Sequence, residues 1–457
     1  MTVNIEVGKE FLVTIKRLGI NGEGVGYYKR KVVFVPGVLP NEEVVVRVMK
    51  VFPKHSEAEV VRIKKRSPYR VKPECSVYTR CGGCQLQHLS YEGQLIEKQG
   101  LVERALERYS GFGLGALDVR ACIGMQSDPN HYRNKSQFQL SVNARGEVLS
   151  GLYHADSHQL IDIVRCGVQD ERINRVTRVV KEILQTLEIP IYDEKKNSGI
   201  VRTVVSRVSK ASGEVQVTLV TVSKKLPKKK LILDEINKQL PEVVSIFQNI
   251  NSDKSSLIFG KETVLLDGKQ TIIEKIGDLQ FALSARTFFQ LNPVQTVHLY
   301  DEVKRAAGLT GREKVVDAYC GAGAIGLWLA SDAAEVRGMD VIVEGIADAR
   351  ENAQLNDCQN VRYEVGHAED LLPQWDKLGW RADVIVVDPP RTGLDRGLVD
   401  TLLKVQPARI VYVSCNPSTL AKDLQILKRK FDVEYVQPVD MFPMTAHVET
   451  VMLLRRR

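Results

Sequence analysis

No stretch of this chain approaches the roughly 18 consecutive apolar residues that a membrane-spanning helix needs. The first residues, MTVNIEVGKEF, carry acids and lack an apolar run, so no secretory signal is expected there. Cysteine is scarce, with eight among 457 residues, and a disulfide framework is not expected at that density. Charge of one sign is modest too: Lys and Arg total 64 against 56 for Asp and Glu, a net charge of +8. That excess suits a polyanionic partner without demonstrating one. The protein is expected to be soluble and cytoplasmic, with no membrane association.

The chain is long enough for two or three domains, each with its own core. Residues 1–65 read as short strands cut by glycine turns: FLVTIKRLG, NGEGVGYY, KVVFVPGVLP, EEVVVRVMKVF and EAEVVRIKK. Even spacing and turn punctuation predict a small OB-like β-barrel. Its scattered basic side chains (Lys16, Arg17, Lys29, Arg30, Lys31, Arg47, Lys50) fit a solvated face or a nucleic-acid platform. Residues 66–290 form a central α+β unit. It opens with a cysteine cluster and a polar helix around YEGQLIEKQGLVERALERY, then turns mostly to strand, with one helix near INRVTRVVKEILQTL. The lysine run KKLPKKK at 224–230 reads as a solvated loop, with RNA contact as the functional alternative. In residues 291–457 strands alternate with helices, which predicts a Rossmann-like, mostly parallel sheet covered on both faces. The last two strands, VEYVQPV and HVETVMLLR, follow one another without a helix and should pair as an antiparallel hairpin. The expected fold is α/β and multidomain.

Cys75, Cys81 and Cys84 have C-x5-C-x2-C spacing, and Cys166 lies downstream. Four thiolates could hold zinc or an iron–sulfur cluster, and spacing does not choose between them. In the C-terminal unit, Asp317-Ala-Tyr-Cys-Gly-Ala-Gly323 follows the first strand and opens a helix. Gly321 and Gly323 would let backbone approach a ligand closely. Asp340, at the end of the next strand, could bind ribose hydroxyls. Gly326 completes a G-x-G-x-x-G pattern, so NAD stays open on this motif alone. The fourth strand ends in Asp388-Pro-Pro-Arg391 and the fifth in Ser414-Cys-Asn-Pro417. Ligands in open α/β sheets sit outside the carboxyl ends of the strands, so the glycine loop, Asp340, Asp388 and Cys415 should share one edge. Glu449, at the start of the antiparallel final strand, should join them. Taken singly, Cys415 is more often a buried small apolar residue and Glu449 a surface acid, and His447 is a competing base. The helix that starts after Cys415 is expected to lower its thiol pKa.

Matching stretches along nearly the whole chain carry a resemblance: FVPGVLPNE, CGGCQLQHLSYEGQL, HYRNKSQF, RTFFQLNP, DAYCGAGAIG, VVDPPRTGL, VSCNPSTLAKDL and HVETVMLL. In these, and in their order, the sequence resembles the RNA 5-methyluridine methyltransferase family (TrmA/RumA type). The N-terminal barrel resembles a TRAM domain, an RNA-binding module. The resemblance implies methyl transfer from S-adenosylmethionine to C5 of uridine, with Cys415 as nucleophile and Glu449 as general base. It implies that Gln290, Tyr319, Asp340 and Asp388 bind S-adenosylmethionine beside the glycine loop. It also implies a 4Fe–4S cluster on Cys75, Cys81, Cys84 and Cys166. A barrel combined with such a cluster resembles the rRNA branch, which implies 23S rRNA as substrate, at one or two sites. Two positions depart from the family: Ala324 stands where Asn is frequent, and Asp340 where Glu is usual.

Uracil explains why two side chains are needed. Its C5 is too electron-poor to attack a methyl sulfonium, and a thiolate adding at C6 turns the ring into an enolate. A base must then remove the C5 proton so that the thiolate can leave. Alternatives are a tRNA 5-methyluridine methyltransferase, a cytosine-C5 enzyme, or a noncatalytic RNA-binding protein with a redox cluster. Phe288 and Phe289 are candidates for stacking on a flipped base, or for the core. No obligate protein partner is expected, and the chain should be a monomer.

Overall fold

A computed structural model of the protein describes residues 5–154, 157, 159–253 and 257–457. Strand β1 (Glu10–Leu18) buries alternate side chains, including Phe11, Val13 and Ile15, because successive residues point to opposite faces. Together with β2 (Gly24–Tyr28), β3 (Lys31–Val35), β4 (Glu43–Val51) and β5 (His55–Lys65) it forms a closed barrel, ordered β1-β2-β3-β5-β4. The expected barrel is present. Of its basic residues, Arg47 pairs with Glu10 and Glu59, and Lys50 with Glu57. Lys29 and Arg30 form the β2–β3 turn with φ of 47° and 74°, where Asn or Gly is the usual choice.

Helix α1 (Tyr91–Tyr109) begins at Ser90, whose side chain accepts from the Gly93 amide. The central sheet runs β12-β11-β10-β9-β6-β7-β8. Its strands are β6 (Lys135–Val142), β7 (Val148–Tyr153), β8 (Leu160–Asp162), β9 (Val201–Val208), β10 (Val215–Thr221), β11 (Val243–Ile250) and β12 (Glu262–Gly268). Only β10 and β11 pair in parallel. Two helices pack on one face, α2 (Glu171–Thr186) and α3 (Lys229–Gln239). The second corrects the expectation of a single helix there; the expected loop holds over 224–228, and only Lys229 and Lys230 of the lysine run are helical. Ile232 and Ile236, four residues apart, are fully buried. That apolar pair drives a helix even though Lys229 and Lys230 oppose the dipole at its start.

A hairpin, β13 (Ile272–Ile276) and β14 (Leu279–Leu283), shares its apolar core with the C-terminal unit. That unit comprises α4 (Pro293–Ala307), β15 (Lys314–Ala318), α5 (Ala324–Ala330), β16 (Glu335–Asp340), α6 (Val343–Leu355), β17 (Val361–Val365) and α7 (Ala368–Lys377). It continues with β18 (Val384–Val387), α8 (Arg396–Val405), β19 (Arg409–Ser414), α9 (Pro417–Leu427), β20 (Phe431–Val439) and β21 (Glu449–Arg456). Sheet order is β17-β16-β15-β18-β19-β21-β20, parallel except for β21. One face packs with α4, α5 and α6, the other with α1, α7, α8 and α9. The final two strands do pair antiparallel, and β21 inserts between β19 and β20. This brings Glu449 to the carboxyl ends of the parallel strands. No helix among the described residues is long and apolar enough to cross a membrane.

Residues 440–448 connect β20 to β21, and α1 holds this connector from below the sheet edge. Lys98 and Asp440, both fully buried, meet at 2.5 Å, and Lys98 also donates to the Phe442 carbonyl at 3.0 Å. A buried pair contributes little net stability when complete, but losing one partner strands a charge. Lys98→Met is therefore expected to cost about 3–5 kcal/mol in urea unfolding, and adding Asp440→Leu should recover much of the loss. Equal destabilisation by the single and double variants would count against a charge-stranding cause.

Candidate active site

The chain leaves β15 through a tight turn in which Tyr319, Gly321 and Gly323 all have positive φ (64°, 52° and 81°). A Cβ on Gly323 would lie 2.6 Å from the Tyr363 hydroxyl, so only glycine fits. Asp340 braces this loop. Its Oδ2 accepts from the Gly321 amide at 3.0 Å and its Oδ1 from the Ile342 amide at 2.9 Å. The Gly326 amide donates to Asp317 Oδ2 at 2.7 Å, and Asp317 Oδ1 is buried without a partner. Burial pushes Asp317 up to about 7 and the half-buried Tyr319 up to about 12. Gln290 is anchored through its carbonyl by Asn134 Nδ2 at 3.2 Å. Tyr300 is buried, and Asp388, Asp317, Gln290 and Glu449 are its electrostatic neighbours. Sequence reasoning missed Tyr300, which reads as one more apolar-face residue of α4. Of the paired phenylalanines, Phe289 is core, packed on Phe281, and Phe288 is 74% exposed.

Cys415 stands between β19 and α9, and Asn416 caps α9 by accepting from the Ser418 amide. Asn416 Nδ2 also donates to the Arg391 carbonyl at 3.0 Å, tying the two loops together. The Arg391 guanidinium donates to His447 Nδ1 at 2.6 Å; guanidinium cannot accept, so that nitrogen carries the lone pair. Glu449 is 8% exposed at the start of β21. Burial, then the Asp388 charge, pushes it up to about 8, with Arg391 opposing. Asp388 is pushed up to about 7 by burial. The expectation of a lowered Cys415 thiol is overturned: burial, then Glu449 and Asp388, push it up to about 11. Burial and two nearby carboxyls outweigh the Arg391 guanidinium, which favours the thiolate. His447 is pushed down to about 4, by burial and then Arg391, so it is a weak base with its Nδ1 engaged. A thiol, a cation and a carboxyl titrating near neutrality can support addition at one substrate carbon and proton removal at its neighbour.

Cys75, Cys81, Cys84 and Cys166 line one cavity of about 120 Å³ together with Tyr78, Arg133 and Phe138. Ser136 Oγ and Gln169 Oε1, on residues of the same lining, are buried without partners. Among the described residues, no group of three or more His, Cys, Asp or Glu side chains is gathered as it would be around a single metal ion.

The profile of the tRNA (uracil-5-)-methyltransferase family matches residues 90–457, and that of the TRAM domain matches residues 5–61. An uncharacterized RNA methyltransferase of Bacillus cereus is 58% identical over 453 residues, covering 99% of this chain and 98% of that protein. One from Halalkalibacterium halodurans is 57% identical over 451 residues, covering 98% and 97%. Among solved structures, the Pyrococcus abyssi tRNA (uracil-54, C5)-methyltransferase in complex with S-adenosyl-L-homocysteine is similar, with a TM-score of 0.76 and 29% identity. The match covers 97% of this chain and all of that one.

Two titrations follow from the site. Labelling of Cys415 by iodoacetamide in the free protein, followed on its peptide by mass spectrometry, should keep rising with pH up to a midpoint near 11. Glu449 is raised from 4.5 to about 8, so its stabilising contribution is complete below pH 4.5 and is lost as pH climbs through 8. Glu449→Gln should therefore match the parent protein at low pH and exceed its stability at alkaline pH, as read by urea unfolding.

Proposed function

The chain belongs to the tRNA (uracil-5-)-methyltransferase family, with an N-terminal TRAM domain, and from that premise we propose that it methylates C5 of uridine in 23S rRNA through a Cys415–C6 adduct. It is an S-adenosylmethionine-dependent RNA (uracil-5-)-methyltransferase; the target, the adduct and the residue roles are our reading. The observation that carries it is the convergence of Cys415 with Glu449, Asp388 and Arg391 at one sheet edge. S-adenosylmethionine supplies an electrophilic methyl group on a sulfonium. Cys415 adds to C6, its thiolate favoured by Arg391, and the electron pair gained at C5 attacks the methyl as the methyl–sulfur bond breaks, its electrons staying on sulfur and S-adenosylhomocysteine leaving. Glu449, as carboxylate, takes the C5 proton, and the C6–S bond breaks to restore the ring. Gln290, Tyr319, Gly321, Gly323, Asp340 and Asp388 would hold the nucleoside and methionine parts of the donor. Residues 1–65, 66–290 and 291–457 would act as barrel, central unit and methyltransferase domain.

Cys75, Cys81, Cys84 and Cys166 would hold a 4Fe–4S cluster that joins the segment after the barrel to the central sheet. The residues fit: four thiols surround a cavity, where zinc would draw its sulfurs to about 2.3 Å from one point. The orphaned Ser136 hydroxyl is available to donate a hydrogen bond to cluster sulfur. The similarity to the Pyrococcus abyssi enzyme favours a second reading, tRNA as substrate, since that structure matches along nearly the whole chain. Modification of two rRNA positions by this one site is part of the first.

The test uses 23S rRNA and tRNA transcripts, each tritiated at C5 of uridine, with the parent protein and Cys415→Ala in parallel. Donor-dependent tritium release from 23S rRNA, absent in the variant, is expected. Release from tRNA alone would move the target to the second reading, and methyl incorporation without release would overturn the roles of Cys415 and Glu449. Anaerobically purified protein should be brown, with broad absorbance near about 400 nm; colourless protein with stoichiometric zinc would overturn the cluster.

A further inference from the structure

The 440–448 connector that delivers His447 and Glu449 to the site lies directly on the segment that carries Cys84. Gln85, the next residue, donates its amide to the Met444 carbonyl at 3.0 Å, and Leu86 donates to the same oxygen at 2.9 Å. Gln85 Oε1 also accepts from the Ala446 amide at 3.4 Å. From α1, the fully buried Gln94 accepts from the Met444 amide at 2.8 Å through Oε1. Its Nε2 donates to the Leu89 and Leu86 carbonyls at 2.9 and 3.3 Å, and to Met444 Sδ at 3.4 Å. Met444 needs this grip, because it has φ of 69°, a left-handed conformation disfavoured for a side-chain-bearing residue.

Side chains complete the link. Phe442 and Met444 pack in one apolar cluster with Cys84 and Cys166, around Met125, Tyr132 and Val168. The Tyr132 hydroxyl donates to the Pro443 carbonyl at 3.1 Å. At the other end, the Phe442 ring meets His447 edge-on at 6.3 Å between centroids. The connector is thus held on one side by the wall of the cysteine cavity, and it ends at the catalytic edge.

We infer that Gln94 and Met444 are positioning residues for Glu449, and that they make its placement depend on the integrity of the cysteine cavity. The inference rests on Glu449 being the base proposed above. When the cavity wall is intact, Cys84 and Cys166 back Met444 and Phe442, and the strained turn holds. When the wall is perturbed, Gln85 and Met444 shift together and the carboxyl leaves its place over the substrate carbon. Cys415, carried by β19 and α9, stays where it is. The defect therefore falls on proton removal and not on adduct formation.

The test uses full-length protein and two variants, singly and combined. Gln94→Met breaks the link at nearly constant volume, and Cys166→Ser perturbs the cavity from the segment that does not hydrogen-bond the connector. Hydrogen exchange of peptides spanning 441–448 should be about tenfold faster in each single variant, and the double variant should add little. Peptides from α2 should stay protected and so report an intact fold. If Gln94→Met loses that protection, Gln85→Ala takes its place. In single turnover, Gln94→Met should form the Cys415–RNA adduct to the normal extent, with KM for RNA unchanged, and release C5 tritium about 10- to 100-fold more slowly. Unchanged 441–448 exchange in Cys166→Ser, fully additive effects, or parallel loss of adduct and release would each overturn the inference. If the parent protein forms no adduct, the proposed chemistry fails, while the exchange result still decides the coupling.

Discussion

The fully buried contact between Lys98 and Asp440 ties α1 to the connector that leads to Glu449. Neither charge is tolerable alone away from water, so α1 must lie where its lysine reaches the residue that follows β20. Two distant parts of the chain are aligned by that requirement. Ahead of α1 comes the segment with Cys75, Cys81 and Cys84, and after Asp440 comes the connector to Glu449. Fully buried Gln94, one turn before Lys98, repeats the logic with neutral groups. Such contacts add specificity of arrangement more than stability, which suits a site assembled from loops.

The catalytic edge shows the cost of bringing reactive groups together. Asp317, Asp388 and Glu449 all titrate near neutrality: burial disfavours charge on each, and the Asp388 charge adds to the effect on Asp317 and Glu449. The same environment holds Cys415 as a thiol in the free protein. Activation is therefore coupled to binding, since a cationic methyl donor and an ordered Arg391 both favour the anionic forms. His447 holds Arg391, and its pKa, pushed down to about 4, makes it a weaker base than the Glu449 carboxylate, pushed up to about 8.

Patterns with a strong local cause were readable without coordinates. The alternation in β1, the capped polar helix α1, and the strand–turn–helix repeats of the C-terminal sheet all lie where the sequence suggests. Helix α3 was hidden because lysines dominate its start, while the two isoleucines that anchor it have meaning only against a sheet. Phe288 and Phe289 could not be told apart by type: neighbours in the chain point to opposite environments, and packing on Phe281 selects Phe289 for the core. Tyr300 gave no signal, since its surroundings come from β15, β18 and β21.

Residue type and short spacing were enough for the families of element and the inventory of chemistry: a glycine loop, acids at strand ends, one thiol before a helix and four cysteines with ligand spacing. Those features are local. What needed the assembled fold was the insertion of β21 between β19 and β20, the burial of Glu449 among other carboxyls, and the support that the cysteine segment gives to the connector. The last of these depends on contacts between residues hundreds of positions apart, as with Gln94 and Met444. The assembled fold also reversed the expected direction of the Cys415 shift. A helix dipole acts within its own first turn, whereas desolvation and neighbouring carboxyls are properties of the assembled pocket.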